Sequence, residues 1–216
     1  LGFELGGRYR DAKKALATEA IFFHTYIDDL IINNSIGGTG AGTAINGGEV
    51  RSMGLELSAN YDRGLHKGWS LQTPAYVAVT ATRATFETDT ASDDLESIFA
   101  GSKEGNRLPY IPELVVSFGL GAIYQKWSAN LDANYQTTSF ADGANTGAGP
   151  DVNARFGKID SRLVMDAAVG YQYSNKVRMF STMKNITSRE YVVSRQPHGA
   201  RPGAPLTVMG GFEISL

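Results

Sequence analysis

Residues 127–137 alternate without a break. The odd positions are Trp127, Ala129, Leu131, Ala133 and Tyr135; the even ones are Ser128, Asn130, Asp132, Asn134 and Gln136. A period of two over that length predicts a β-strand with one apolar and one polar face. Strands of soluble domains average about 5–6 residues, whereas a strand that crosses a bilayer needs roughly 9–11. This stretch has the longer length, and aromatic residues mark both ends of its apolar row.

The same pattern recurs along the chain. Residues 3–10 read as a short strand before a polar turn at 11–14, and 16–33 as a long one. In the long strand Ile21, Phe23 and Ile27 share one side, Ala20, His24 and Asp28 the other, and Phe22, Tyr26 and Leu30 interrupt the polar side. A glycine-rich loop at 35–48 leads to a strand over 49–61, with Met53, Leu55, Leu57, Ala59 and Tyr61 set against Ser52, Gly54, Glu56, Ser58 and Asn60. A tight turn at 62–68 precedes a strand over 69–86. The polar connection 87–112 carries the acidic residues Asp93, Asp94 and Glu96 and ends at a strand over 113–124. The turn Gln125-Lys126 opens the 127–137 strand, which runs on to about residue 140. After a loop at 141–160 come strands over 163–173 and 176–186, a loop at 187–206 and a last strand over 207–216.

About nine strands result, and after the first their connections alternate short and long. Outer-membrane barrels have short periplasmic turns and longer extracellular loops, an asymmetry a soluble sandwich has no reason to keep. Tyr61 and Trp69, Tyr124 and Trp127, and Tyr171 and Tyr173 all flank short turns, as amphipathic rings do at a headgroup boundary. The pattern therefore predicts an all-β, antiparallel transmembrane β-barrel. An open sheet leaves two unpaired edges, which hydrocarbon does not tolerate. Further strands, expected before Leu1, or partner chains must close it.

Composition changes this picture little. The 216 residues could form one all-β domain, and a formal charge of −2 gives no basic field for nucleic acid. There is no cysteine, which removes disulfides, thiolate metal sites and thiol nucleophiles. The mean hydropathy of −0.19 and the lack of a long apolar run argue against a transmembrane helix, not against a barrel. The 25 glycines and 10 tyrosines suit a barrel. A start at Leu1, without an initiator Met or signal peptide, fits a fragment or processed piece.

Five segments resemble the barrel of TonB-dependent outer-membrane receptors: residues 26–31 (Tyr-Ile-Asp-Asp-Leu-Ile), 46–56 (Asn-Gly-Gly-Glu-Val-Arg-Ser-Met-Gly-Leu-Glu), 108–113 (Leu-Pro-Tyr-Ile-Pro-Glu), 140–146 (Phe-Ala-Asp-Gly-Ala-Asn-Thr) and 184–191 (Lys-Asn-Ile-Thr-Ser-Arg-Glu-Tyr), the last continuing to Arg201-Pro202-Gly203-Ala204-Pro205. The segments around Asn145 and Arg201 look closest to ferric-citrate-type siderophore receptors. The resemblance implies a barrel of about 22 strands around an N-terminal plug, energised through a TonB box. Residues 1–216 would be its C-terminal part, without plug, TonB box or the preceding strands. It also implies a cell outer-membrane location, siderophore and iron transport, and no catalytic activity or cofactor. One departure is the end: the family usually finishes on an aromatic, this chain on Leu216, although Phe212, Ile214 and Leu216 keep the apolar rhythm.

Capture of a bulky, anionic ferric chelate calls for charge-assisted donors, with Arg favoured for bidentate contact to carboxylate. The predicted outer loops offer Arg107, Arg155, Arg195, Gln196, His198 and Arg201, with Lys103 and Lys158 beside them. The bland alternative is that each is a solvated charge or part of a loop-to-loop ion pair. Arg195 and Arg201 stand out because Pro197 between them and Pro202 just after stiffen that loop. Asp132, Asn134, Glu56 and Asp166 are expected to face the lumen, toward water or the missing plug. The run Gly37-Gly38-Thr39-Gly40-Ala41-Gly42-Thr43 lacks the ending of a phosphate-binding loop. His24, His66 and His198 are too dispersed for a metal site. Asn33-Asn34-Ser35 and Asn185-Ile186-Thr187 match glycosylation acceptors formally. Two competing functions remain at this level: a barrel enzyme using His198 with Glu190, and a soluble carbohydrate-binding domain whose apolar rows pack against a second sheet.

Overall fold

The computed structural model describes residues 1–33, 43–90, 92, 97–147 and 154–215. Nine long strands make one sheet: β1 (Gly2–Asp11), β2 (Leu16–Ile27), β3 (Val50–Asp62), β4 (Pro74–Phe86), β5 (Leu114–Tyr124), β6 (Trp127–Gln136), β7 (Arg162–Ser174), β8 (Val177–Lys184) and β9 (Thr207–Ile214). Each pairs antiparallel with its neighbours in sequence, an up-and-down meander from β1 to β9. Most have the length a bilayer demands.

Register makes the alternation a property of the sheet. Leu120 of β5 lies opposite Leu131 of β6, which lies opposite Ala167 of β7. Phe118, Ala133 and Met165 form the next such row, and Tyr124, Trp127 and Tyr171 the last before the turns. On the other face Gly119, Asp132 and Asp166 line up, as do Ser117 and Asn134. Because side chains alternate with a period of two, this register sends every apolar row to one side. The apolar side is largely uncovered: Leu57, Leu120, Trp127, Val169 and Phe212 are all exposed large hydrophobics. No second sheet packs on it among the described residues, so the sandwich expectation fails.

Several boundaries and one face differ from the sequence reading. The strand expected over 69–86 begins at Pro74, with Leu71–Gln72 pairing separately with Tyr124 and Ile123. The strand expected to run on to about residue 140 ends at Gln136, and Ser139–Phe140 pairs with Lys158–Ile159 instead. The expected strand 16–33 stops at Ile27, and Ile31–Asn33 pairs separately with Ala44–Asn46. In β2 the register places Ala20 opposite Leu57 and Phe22 opposite Leu55, which leaves Ile21 opposite Glu56 and Phe23 opposite Gly54. Ile21 and Phe23 thus share the polar face, and Ala20, Phe22 and His24 the apolar one. Local composition suggested the opposite, because β2 is apolar on both sides and only its neighbours distinguish them. The tight turn at 62–68 contains a short helix, α1 (Arg63–Lys67), capped by Asp62, whose Oδ1 accepts the Leu65 N–H at 2.8 Å.

The buried hydrophobics are few: Ile32, Val50, Ala84, Phe86, Ala133, Ala141 and Ile159. Most lie at the long-loop end of the strands or in the connections there. Phe86 packs edge-on against Phe99 at 6.1 Å, and short ladders join Ser139–Phe140 to Lys158–Ile159 and Val192–Ser194 to Arg201–Pro202. The described parts of the long loops therefore form a cap. The opposite end keeps its aromatic girdle, with Trp127 and Tyr171 rings 4.5 Å apart and Trp69 beneath the Arg63 guanidinium.

Candidate functional site

The cap is built around four polar residues that the pattern of charges did not single out. Asp142 is only 2% exposed. Its Oδ1 accepts the Thr146 N–H at 3.0 Å and the Thr146 hydroxyl at 2.9 Å, while Oδ2 accepts the Gly157 N–H at 2.9 Å. This one carboxylate closes both ends of the 141–160 connection. Asn145, at a φ of 56°, imitates a strand neighbour: its Oδ1 accepts the Arg107 N–H and its Nδ2 donates to the Arg107 carbonyl, each at 2.8 Å. Asn and Asp tolerate this left-handed backbone through such local bonds. Tyr110, also at positive φ, accepts the Arg195 and Gln196 N–H groups on its hydroxyl at 3.3 and 3.0 Å. Asn185 is buried and donates to the Arg189 and Ala204 carbonyls, both at 2.9 Å. That burial agrees with a chance match to the glycosylation pattern at 185–187.

The six sequence candidates divide between structural and open positions. Arg107 donates to the Thr138 carbonyl at 3.0 Å and lies 5.3 Å from the Phe140 ring, with Glu113 at 3.5 Å. Arg195 donates through Nε to the Lys158 carbonyl at 2.9 Å and through Nη1 to the Ala154 carbonyl at 3.3 Å. Both guanidiniums hold loops together. Gln196 is buried, and its Nε2 has no hydrogen-bond partner among the described residues. Arg155 lies over the Phe156 ring at 5.6 Å. His198 and Arg201 are exposed. Of their companions, Lys103 is paired with Asp89 at 2.8 Å and Lys158 lies 5.9 Å from the Phe140 ring. The Lys103 contact, with the Glu104 N–H, holds the Asp89 carboxyl below the usual carboxylate range. The run at 37–42, Asp93, Asp94, Glu96 and Leu216 lie outside the described residues.

A recess of ≈ 660 Å³ opens beside these anchors, lined in part by Asp160, Asn185, Arg189, Glu190, Tyr191 and Arg195. Its lining sets side chains of both charges among apolar ones such as Val192 and Pro202. The polar face of the sheet carries a second, orderly set of contacts. Tyr76 crosses Gly119 to donate to Asp132 at 3.0 Å, and Asn130 donates to the same carboxylate at 2.9 Å. A Cβ on Gly119 would stand 2.2 Å from the Tyr76 ring, so the crossing needs glycine there. Asp166, directly opposite Asp132, is met by Lys184 at 3.1 Å and by the Asn185 N–H at 2.8 Å. Two facing carboxylates thereby escape mutual repulsion.

The sequence profile described as "TonB dependent receptor-like, beta-barrel" matches residues 1–186. The chain belongs to the TonB-dependent receptor family. This is an outer-membrane family of receptors rather than enzymes. Solved structures agree on the fold. The ferric citrate transporter FecA, unliganded, superposes with a TM-score of 0.77 at 25% identity, over 98% of this chain and 30% of that one. The ferric yersiniabactin uptake receptor FyuA from Yersinia pestis gives 0.73 at 19% identity, over 99% and 29%. The copper transporter OprC gives 0.68 at 18% identity, over 100% and 31%. The chain thus spans about a third of the length of these receptors. In outer-membrane barrels the short turns are periplasmic and the long loops extracellular, which makes the cap extracellular.

Proposed function

We propose that the intact protein is an outer-membrane receptor and active transporter for a ferric siderophore, a ferric-citrate-like chelate, energised through TonB at a segment outside residues 1–216. The observation that carries this reading is the likeness to the ferric citrate transporter across 98% of the chain, together with an extracellular cap that presents cations. Arg155, His198 and Arg201 contact the chelate in this reading, and the Gln196 amide offers a neutral donor. Arg107 and Arg195 act one step back, holding the loops that carry the others. Carboxylate oxygens on the chelate match guanidinium donors in charge and geometry.

Uptake of radiolabelled ferric citrate by cells carrying the intact receptor, with and without TonB, tests the proposal. Saturable uptake that stops without TonB is expected. Energy-independent flux would reject active transport, and preferential uptake of a copper complex would reject the ferric cargo while leaving the receptor reading in place.

A further inference from the structure

The apolar face of the sheet is not uniform. Where β1 to β4 meet, its outward positions become small: Gly7 pairs with Ala20, and Thr18 pairs with Ala59. The result is a groove of ≈ 610 Å³ floored by Gly7, Ala20 and Ala59 and walled by Leu57, Val77 and Val79. A Cβ added to Gly7 would meet nothing within 4 Å, and the residue is not in a left-handed conformation. The furrow is therefore open above its floor.

Following β4 upward, the outward positions run Val77, Val79, Ala81 and then Arg83, opposite Met53. Arg83 is exposed and forms no ion pair among the described residues. The polar groups above it are already matched. Arg51 bonds Glu87 at 2.7 Å, Thr85 donates to the same Glu87, and Tyr26 donates to Glu49. Level with Arg83, His24 is stacked on Phe3 at 5.5 Å, and its Nδ1 has no hydrogen-bond partner among the described residues. One cation is left over at the edge of the apolar belt, about 13 Å along the strand from Val79.

We propose that this face binds an anionic, phosphate-bearing membrane lipid, with an acyl chain in the groove over Gly7 and the phosphate on the Arg83 guanidinium. The inference rests on the apolar rows facing the bilayer and is independent of the cargo. Small side chains leave a furrow that a flexible hydrocarbon chain fills better than rigid protein. An arginine at the hydrocarbon boundary reaches the headgroup level with its donors. Guanidinium and phosphate then meet through charge-assisted, bidentate bonds. A lipid seated in this way replaces a void in the belt with dispersion contacts.

The test uses the intact receptor, purified in detergent and mixed with phosphatidylglycerol or with diacylglycerol bearing the same chains. Retained lipid and oligomeric state are read by native mass spectrometry. A monomer that keeps phosphatidylglycerol in preference to diacylglycerol is expected. Arg83→Gln should weaken that retention about fivefold, the weight of one arginine at an anionic membrane surface. Gly7→Trp should abolish it by filling the furrow, and Gly7→Ala should leave it intact. Folding of each variant is checked by the gel shift of a heat-modifiable barrel; should Gly7→Trp not fold, Arg83→Gln alone decides. Equal retention of the two lipids, or unchanged retention in Arg83→Gln, would overturn the lipid site alone. A dimer whose contact displaces lipid would assign the groove to a second copy instead. Failure of the wild-type receptor to insert into bilayers would overturn the orientation and the site with it, whatever the uptake assay reports.

Discussion

Replacing Asp142 by alanine should detach the extracellular cap without melting the barrel. The carboxylate is almost fully buried and receives three hydrogen bonds, two from backbone N–H groups at 146 and 157 and one from the Thr146 hydroxyl. Removing it leaves three donors to find water or remain unmet, at about 1 kcal/mol each by a conservative count, or about 3 kcal/mol in all. Local opening would then rise about 150-fold. The effect should spread along known bonds. Gly157 precedes Lys158, whose carbonyl anchors the Arg195 guanidinium, so residues 141–147, 154–160 and 192–197 should all exchange faster. The sheet ladder from β1 to β9 makes none of these contacts and should keep its protection. Hydrogen–deuterium exchange by mass spectrometry on the intact receptor reads each peptide separately. Unchanged exchange at 154–160, or equal loss across the strands, would refute the picture of one carboxylate holding a cap independent of the sheet. Asp142→Asn should be nearly as damaging, because its amide places a donor where N–H donors converge.

Three further outcomes follow from the same geometry. Gly119→Ala should push the Tyr76 ring off its path and cost about 1 kcal/mol in urea unfolding, the value of one partly exposed hydrogen bond to a carboxylate; on a Tyr76→Phe background the substitution should cost markedly less, and an identical cost in both backgrounds would refute the Tyr76–Asp132 explanation. Asp89 is held below the ordinary carboxylate range by the Lys103 hydrogen bond first and the Glu104 N–H next. Its contribution is thus complete above about pH 4 and is lost as pH falls through the lowered folded value; proteolytic sensitivity of the 89–104 connection that rises already between pH 7 and 5 would contradict this. Combined His198→Ala and Arg201→Ala should weaken ferric citrate binding about tenfold or more, since each hydrogen bond to a charged group contributes about 1.5–3 kcal/mol, with cap exchange unchanged; Arg195→Ala should instead raise exchange at 154–158, and calorimetry with exchange on both variants separates the two roles.

The family motifs acquire a physical meaning in the cap. The segment 140–146 is where Asp142 and Asn145 tie two loops, and 184–191 is where buried Asn185 closes the last one. Asn and Asp between glycines and alanines were visible as turn formers, but their partners at 107, 157 and 204 are distant in sequence. The charged residues were ambiguous for the same reason. From sequence alone Arg107 and Arg195 could be ligand donors or loop-to-loop ties, and the partners that decide their local role are the distant carbonyls of Thr138, Lys158 and Ala154, with Ile111 nearer in the chain.

Alternation alone determined the body of the strands from β5 to β7, because apolar and polar residues alternate over most of their length, with exceptions such as Val115, Ile123 and Val164 on the polar face, and the bilayer imposes a long period of two. Loop lengths and flanking aromatics likewise fixed which end carries the short turns, since both are local properties of the chain. Tertiary structure decided the face of β2, the split of its far end and the helix at 63–67. It also decided which polar loop residues are anchors and which stand free. Those outcomes depend on cross-strand register and on hydrogen bonds between residues far apart in sequence. A residue flanked by apolar neighbours on both sides has no local signal to say which way it points.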